Sequence, residues 1–348
     1  MKTIFTQVRI VVLLIFLQYP FVQVLSQNNC GDALERAETL FDQGVIEEIP
    51  ALLQGCIRDG FSREEKIRAQ KLIILSYLFD NRMYDAESKM ESFLRTNPEY
   101  QLEPDDPSEF ASLFSSYRTF PFLSLGLYTG GNLSSATMLE QFGPYNPGVN
   151  EVSYSITHPE YQIGISFNIF LSNSFELNLE TVYTKTSFSY RNLQYGFIET
   201  SRKESHNRLD FPVSFTYDFP GEKLKPYLRL GASYGLILNA YGDYKRNNIN
   251  SSDDMAGTVE SLGIDISDRR NPDVIAAMVG TGLKYKIPRG HLFLDLRYHY
   301  GLTELVKPET RWDPEIVFPF YQADEDFQID YLTFSFGFRY SFFKSKKL

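Results

Sequence analysis

The segment that decides the fold is Asp326–Phe343, with the sequence DFQIDYLTFSFGFRYSFF. Large apolar residues occupy every second position from Leu332 to Phe342, and small or polar residues such as Ser335 and Arg339 lie between them. A repeat of two residues is that of a β-strand whose two faces meet different surroundings. Large aromatic residues on the apolar face predict the closing strand of an outer-membrane β-barrel, apolar toward lipid and polar toward the lumen.

Seven upstream segments have the same alternation, which adds seven predicted strands. These strands are 120–130, 161–171, 175–188, 203–219, 224–244, 273–287 and 291–302. The connections are short at 172–174, 220–223 and 288–290, and long at about 131–160, 189–202, 245–272 and 303–325. Short periplasmic turns that alternate with long extracellular loops are the rule for such barrels. The sequence therefore predicts an eight-stranded antiparallel transmembrane β-barrel over residues 119–348.

The composition agrees with this fold class. The chain has 29 Phe and 23 Tyr, yet its mean hydropathy is only −0.26. That combination is expected where apolar residues occupy alternate positions, although an aromatic-rich soluble β protein is an alternative. No run of about 20 apolar residues follows residue 26, so a membrane location would require a closed barrel. A net charge of −10 argues against nucleic acid as a partner.

The N-terminus predicts export. Residues 1–26 have two basic residues, a short apolar core and small or β-branched residues before a cleavage point, which is the pattern of a signal peptide. Cys30 and Cys56 would then reach an oxidising compartment, where a disulfide would close a loop of about 26 residues and contribute about 3 kcal/mol. Two reduced cysteines in a helical core are the alternative.

Residues 27–118 predict a helical domain, with apolar residues at helical spacing over about 32–40, 46–57, 62–77, 83–95 and 108–117. Ser62 and Glu65 have the spacing of a capping box. The second helical pair resembles a tetratricopeptide repeat through Tyr77, Ala86 and Pro98, while the consensus tryptophan and glycine are missing. The resemblance implies a surface that binds a protein partner, and a small helical cap without a partner is the alternative.

The interior of an eight-stranded barrel is just wide enough for side chains to fill. The polar faces of the strands bring charges of both signs into the predicted lumen: Glu176, Glu180, Asp210, Asp218, Arg229, Lys284, Asp295, Arg297 and Arg339. We expect these groups to pair and fill the lumen. An ion path and a catalytic set of carboxylates, or a hydrolytic pair of His299 and Asp295, are the alternatives. No metal or cofactor motif is present in the sequence.

Three segments carry a resemblance to a known family. They are LDFPVSF at 209–215, GTGLKY at 280–285 and LDLRYHYGL at 294–302. They resemble the PorT-type, OmpX-like outer-membrane barrel domain, and the resemblance covers about 119–345. Some members of that family belong to the type IX secretion and gliding machinery. The charged residues 344–347 depart from the aromatic end that is usual for outer-membrane barrels.

These observations predict an α+β multidomain protein: a signal peptide at 1–26, a periplasmic all-α helical-repeat domain at 27–118 and the barrel at 119–348. We expect a non-enzymatic protein of the cell outer membrane that needs no cofactor. Lipid surrounds the barrel, and residues 30–118 bind a periplasmic or outer-membrane protein. The resemblance implies a role in a secretion or envelope-assembly complex. A small channel and a lipid-modifying enzyme are the alternatives.

Overall fold

The computed structural model describes residues 24–140, 142, 151–194, 196–248 and 257–348. They form two compact units. The helical unit comprises the residues up to Phe120 together with Phe343–Leu348, and the sheet unit comprises Pro121–Phe342. The predicted signal peptide lies outside the described residues, except for its last three, which begin the first helix.

The described part of the helical unit contains five helices: α1 (Val24–Asp42), α2 (Ile49–Arg58), α3 (Arg63–Phe79), α4 (Met83–Thr96) and α5 (Ser108–Ser115). The predicted capping box at the start of α3 is confirmed. The Glu65 N–H donates to the Ser62 hydroxyl at 3.3 Å, and the Ser62 N–H donates to the Glu65 carboxylate at 2.8 Å. Among the described helices, none has the length and apolar content needed to cross a bilayer.

Helix α3 is the centre of this unit because both of its sides are covered. One apolar cluster joins it to α1 and α2 and contains Leu34, Ala37, Ile49, Leu53, Ala69, Leu72 and Ile73. The other joins it to α4 and α5 and contains Ile74, Leu75, Ala86, Met90, Phe93, Leu94, Phe110, Leu113 and Tyr117. The run from Leu72 to Ser76 is accordingly buried at every position. A helix covered on two sides shows no single apolar stripe in its sequence.

A disulfide and an ion-pair network hold the helices together at two further places. Cys30 and Cys56 form a disulfide between α1 and α2. Lys71 of α3 binds the connection before α5, with its Nζ 2.6 Å from Asp106 and 2.9 Å from Glu103. Burial disfavours the charged form of Lys71, but hydrogen bonds with Asp106, Tyr100 and Glu103 raise the pKa of Lys71 above its usual value. Bonds from Lys71 and Tyr100 likewise hold the pKa of Asp106 below its usual value despite burial.

The last residues of the chain belong to the helical unit. The final strand continues beyond its last aromatic residue to Lys347. The Lys347 ammonium lies 2.7 Å from the Glu87 carboxylate of α4, and the Leu348 N–H donates to the Ser116 carbonyl at 2.8 Å. The charged tail that departs from the usual aromatic end therefore forms contacts with the helices.

The described residues contain a sheet of ten antiparallel strands. Their bounds are β1 (Tyr117–Glu140), β2 (Glu151–Ile156), β3 (Glu160–Phe170), β4 (Phe175–Gln194), β5 (Ile198–Asp218), β6 (Leu224–Asn248), β7 (Thr258–Asp265), β8 (Asp273–Ile287), β9 (Gly290–Gly301) and β10 (Asp326–Lys347). A short helix, α6 (Pro314–Phe320), precedes β10. The pairing order β1-β3-β4-β5-β6-β8-β9-β10 returns to β1, so eight strands form a closed circuit. Strands β2 and β7 pair outside this circuit, on β4 and β6.

The described residues thus contain two strands in addition to the circuit of eight, and the predicted long loops are largely wrong. Strand β2 lies in predicted loop 131–160 and β7 in predicted loop 245–272. Predicted loop 189–202 is mostly strand, because β4 continues to Gln194 and β5 starts at Ile198. Several outward residues in these extensions are polar, as at Lys203 and Lys245, so the sequence there shows no continuous apolar alternation.

The closed sheet thus has two halves, which meet near the paired residues Tyr183, Leu209 and Leu236. We call the part next to the three short turns the turn-side half and the rest the loop-side half. Outward residues of the turn-side half are large and apolar, and Leu230 is 68% exposed. The interior of the loop-side half instead includes an apolar cluster of Ala136, Phe188, Leu305, Val306, Phe327, Ile329 and Tyr331. The two halves therefore differ in what fills their interiors.

Candidate functional site

Ion pairs fill the lumen of the turn-side half, and they lie in successive layers. Next to the short turns, the Lys284 ammonium lies 2.7 Å from both Glu176 and Asp218. The Arg339 guanidinium donates to the other oxygen of Glu176 at 3.1 Å. These four residues come from β4, β5, β8 and β10, so the layer joins strands around the circuit.

The second layer is centred on two carboxylates. Glu180 accepts from Arg229, from Tyr128 and from Arg297, the last at 2.7 Å. Asp295 accepts from the Arg297 Nε at 2.8 Å and from the Tyr227 hydroxyl at 2.6 Å. All of these side chains are buried. Each carboxylate therefore meets two guanidinium groups, which offsets the cost of removing the charges from water.

The third layer contains Arg208 and Asp210, whose charged groups lie 3.2 Å apart. The Arg208 guanidinium lies over the ring of Tyr331, which also stacks on His299 at 4.2 Å between ring centres. The Nδ1 atom of His299 has no hydrogen-bond partner within the described chain. Asp295 is bound to arginines and tyrosine instead, so the predicted hydrolytic pair of His299 and Asp295 does not form.

The lumen leaves little empty space. Between the second and third layers lies a cavity of about 10 Å³ next to Asp210, Arg297 and His299. That volume is room for about one water molecule. The nine charged residues predicted in the lumen are all buried: Glu176, Glu180, Asp210, Asp218, Arg229, Lys284, Asp295, Arg297 and Arg339.

A fourth ionic cluster, in the loop-side half, was missed by the sequence reasoning. Arg270 binds both oxygens of Glu204 at 2.5 and 2.8 Å and reaches Asp324 at 2.9 Å. Arg202 also contacts Asp324, and its Nε lies 3.1 Å from Glu204. Two of these residues come from connections between strands, so no alternation marks them. Arg202, Glu204 and Arg208 of β5 do provide a signal, because these three charged residues lie on the same face of the strand.

Residues 303–325, which we call the loop-side cap, are also held in place by apolar contacts. Helix α6 places Ile316 and Phe320 against Ala240, Tyr244 and Ile266. Glu325 accepts from the Tyr190 hydroxyl at 3.1 Å and from the Tyr154 hydroxyl at 3.3 Å. Burial raises the pKa of the Glu325 carboxyl above its usual value. The two hydrogen bonds act in the opposite direction and lower this pKa, but burial has the larger effect. The predicted loop 303–325 is therefore a folded segment that closes the loop-side end of the lumen.

The helical unit carries a cleft of about 100 Å³ between α2, α3 and α4. Apolar atoms of Pro50, Ile57, Ile73 and Tyr77 line it, together with the polar side chains of Gln54, Gln70, Lys89 and Ser92. The Oε1 atom of Gln70 accepts from the Asn97 amide at 3.1 Å, which fixes the orientation of the Gln70 side chain.

Neither unit presents a metal centre in the part of the chain that is described, where no three His, Cys, Asp or Glu side chains converge suitably. The other predicted site residues, Cys30 and Cys56, are joined by the disulfide between α1 and α2. The arrangement can therefore provide a filled, closed sheet and a separate open cleft.

Comparison with known proteins agrees with the closed sheet. Residues 110–307 match the family described as outer membrane protein beta-barrel domain. The chain belongs to this family. A search of curated proteins finds no match.

Solved structures of small outer-membrane barrels are also similar to this chain. Neisserial surface protein A is 16% identical, with a TM-score of 0.32, and the match covers 63% of this chain and 97% of that protein. Ail, the attachment invasion locus protein of Yersinia pestis, is 12% identical, with a TM-score of 0.29, and the match covers 64% of this chain and 100% of that protein. Outer membrane protein W of E. coli is 14% identical, with a TM-score of 0.28, and the match covers 62% of this chain and 97% of that protein.

Proposed function

We propose that this protein is a non-enzymatic outer-membrane anchor whose helical unit binds a protein partner in the periplasm. In this proposal the closed circuit of eight strands spans the membrane through its turn-side half. The loop-side half faces the cell exterior, and the resemblance of the helical pair to a tetratricopeptide repeat describes the docking element. The filled lumen is the observation that carries the proposal.

Membership of the outer-membrane barrel family supports the location. The outward side chains of the turn-side half support it independently, because bands of exposed Leu, Ile, Phe and Tyr are stable only against lipid or a partner. Leu228 and Leu230 of β6 and Phe334 and Phe336 of β10 belong to this band. Outward polar residues of the loop-side half, such as Lys203 and Lys245, fit water.

The lumen supports an anchor over a channel or an enzyme. Solutes would have to displace Lys284, Arg229 and Arg297 from buried ion pairs, and removing one partner from such a pair costs about 3–5 kcal/mol. A hydrolase would need a base beside a nucleophile, whereas His299 stacks on Tyr331 and its Nδ1 has no partner among the described residues. The ordinary role of such a layered network is to hold the strands in one register.

Connectivity supports a periplasmic helical unit. Residue Leu123 of β1 pairs with Ile169 of β3, which immediately precedes a short turn, so the chain enters the sheet at the end where the short turns lie. Short turns are periplasmic in outer-membrane barrels. The disulfide between Cys30 and Cys56 suits the oxidising periplasm. The PorT-type resemblance favours a secretion or envelope-assembly complex as the setting.

The test compares the full-length protein with a variant that lacks residues 30–118, both purified from outer membranes in mild detergent after reversible crosslinking. We expect a defined protein set to co-purify with the full chain and to be absent from the deletion variant. Equal sets for both proteins would overturn the proposal. Recordings in planar bilayers provide the control, since steady conductance by either protein would favour the channel instead.

A further inference from the structure

We infer that the cleft between α2, α3 and α4 binds an extended peptide segment of the partner that carries one apolar and one acidic side chain. This inference rests on the proposed function and adds the place and the chemistry of recognition.

The apolar part of the cleft accommodates one side chain. Ile57 and Tyr77 are half-buried at its wall, Pro50 adds a rigid apolar surface, and Ile73 lies at its base. Engineered apolar cavities of about 150 Å³ hold a ring the size of benzene. A cleft of about 100 Å³ therefore suits one aliphatic side chain rather than a whole cofactor.

The polar part of the cleft suits a peptide backbone. Gln54 and Gln70 provide primary amides, each able to donate and to accept, and Ser92 provides a hydroxyl. Gln70 uses its oxygen to accept from Asn97, which leaves its amide nitrogen as a donor for an acceptor such as a peptide carbonyl. These groups come from three different helices, which fixes their spacing and reduces the ordering cost on binding.

The charge of the cleft selects the acidic partner. Residues 24–120 contain 18 acidic and 10 basic residues, yet the charged side chain that lines the cleft is Lys89 and none of the lining residues is a carboxylate. Lys89 is exposed, and within the described part of the chain it has no ion-pair partner. An ammonium at the edge of an apolar cleft favours a carboxylate one or two residues from the inserted side chain.

The experiment selects peptides from a display library of random nine-residue sequences against the full-length protein in lipid nanodiscs. The inference expects the enriched peptides to combine an aliphatic residue with Asp or Glu at a fixed spacing. Lys89→Glu should weaken their binding about tenfold, because it replaces attraction by repulsion. Changing the peptide's acidic residue to Lys should restore binding to the Lys89→Glu variant.

Arg36→Glu on α1 is the matched control, because it makes the same charge change at an exposed position of a helix that does not line the cleft, and it should leave affinity unchanged. Enrichment of neutral or basic peptides, equal loss in both variants, or no enrichment would each overturn the inference. These failures differ from failure of the proposed function. If the partner set still disappears on deletion of 30–118, the helical unit binds its partner through another surface.

Discussion

The two halves of the closed sheet have the same strands but differ in what fills their interiors. In the turn-side half, Leu230 and Phe336 face outward and Glu180 faces inward. In the loop-side half, Lys203 faces outward while Phe188 and Phe327 are buried inside. The pleat continues unchanged across the boundary, so side chains still alternate between the two faces. The difference teaches that an inward position can be ionic or apolar, and that the alternation of the backbone alone does not decide which.

The largest expected effect tests whether the turn-side lumen is held by charges. Glu180→Leu leaves Arg229 and Arg297 buried without their shared carboxylate, so we expect a loss of about 3–5 kcal/mol in the free energy of unfolding. Urea titration in liposomes measures it. Glu199→Leu is the control, since its 2.5 Å pair with Arg191 lies on the outside of the loop-side half and should contribute under about 1 kcal/mol. Equal losses would mean that the lumen is hydrated.

The next effect tests where lipid ends. Leu230→Arg puts a charge on the outward face of the turn-side half, which costs about 2–4 kcal/mol near the middle of a bilayer. Ser205→Arg makes a comparable change on the outward face of the loop-side half and should cost under about 0.5 kcal/mol. The same urea titration measures both variants. A large cost at Ser205 would show that lipid covers the loop-side half as well.

A smaller effect compares the packing of the two halves. Ile329→Val removes one methylene from the loop-side interior, where Ile329 is fully buried, and should cost about 0.5–1.5 kcal/mol. Ile165→Val removes the same group from the outward face of the turn-side half. Lipid chains adjust to the smaller surface there, so we expect a change below about 0.5 kcal/mol. If Ile165→Val is the costlier change, the apolar interior contributes less than the lipid-facing band.

The smallest effect is a pH dependence of the loop-side cap. Because burial raises the pKa of Glu325 above its ordinary value, the folded protein binds more protons than the unfolded protein between the two values. Stability from this group is therefore full below the ordinary pKa and falls as pH rises through the raised one. Glu325→Gln should remove that dependence and be more stable than the natural protein at neutral pH, as thermal unfolding at pH 4 and pH 7 would show. A stability difference that stays constant between these pH values contradicts the assignment.

The same contrast explains what the sequence could predict. Strands such as 161–171 can be predicted from their alternate large apolar residues. Ser62 and Glu65 predict a helix start from local chemistry alone. The extension of β4 and β5 beyond residue 188 has no such mark, because outward positions such as Arg191 and Lys203 are polar.

The partners within the lumen were also beyond sequence reasoning. The alternation of polar and apolar residues along the strand predicts that Lys284 faces the lumen. Its pairing with Glu176 and Asp218, however, depends on the stagger of strands around the circuit. Arg270 and Asp324 lie in connections, where position along the chain predicts neither direction nor depth. Their burial follows from the fold of the whole cap.

The contacts of Lys347 and Leu348 with Glu87 and Ser116 have a consequence for how the protein is made. Helices α1 to α5 are synthesised first, but the unit that they form is completed by residues 343–348, which follow more than 200 residues later in the chain. Contacts over such separations close slowly. The helical unit is thus synthesised first but is among the last parts of the protein to be completed, because its final contacts form only after the last strand has been made.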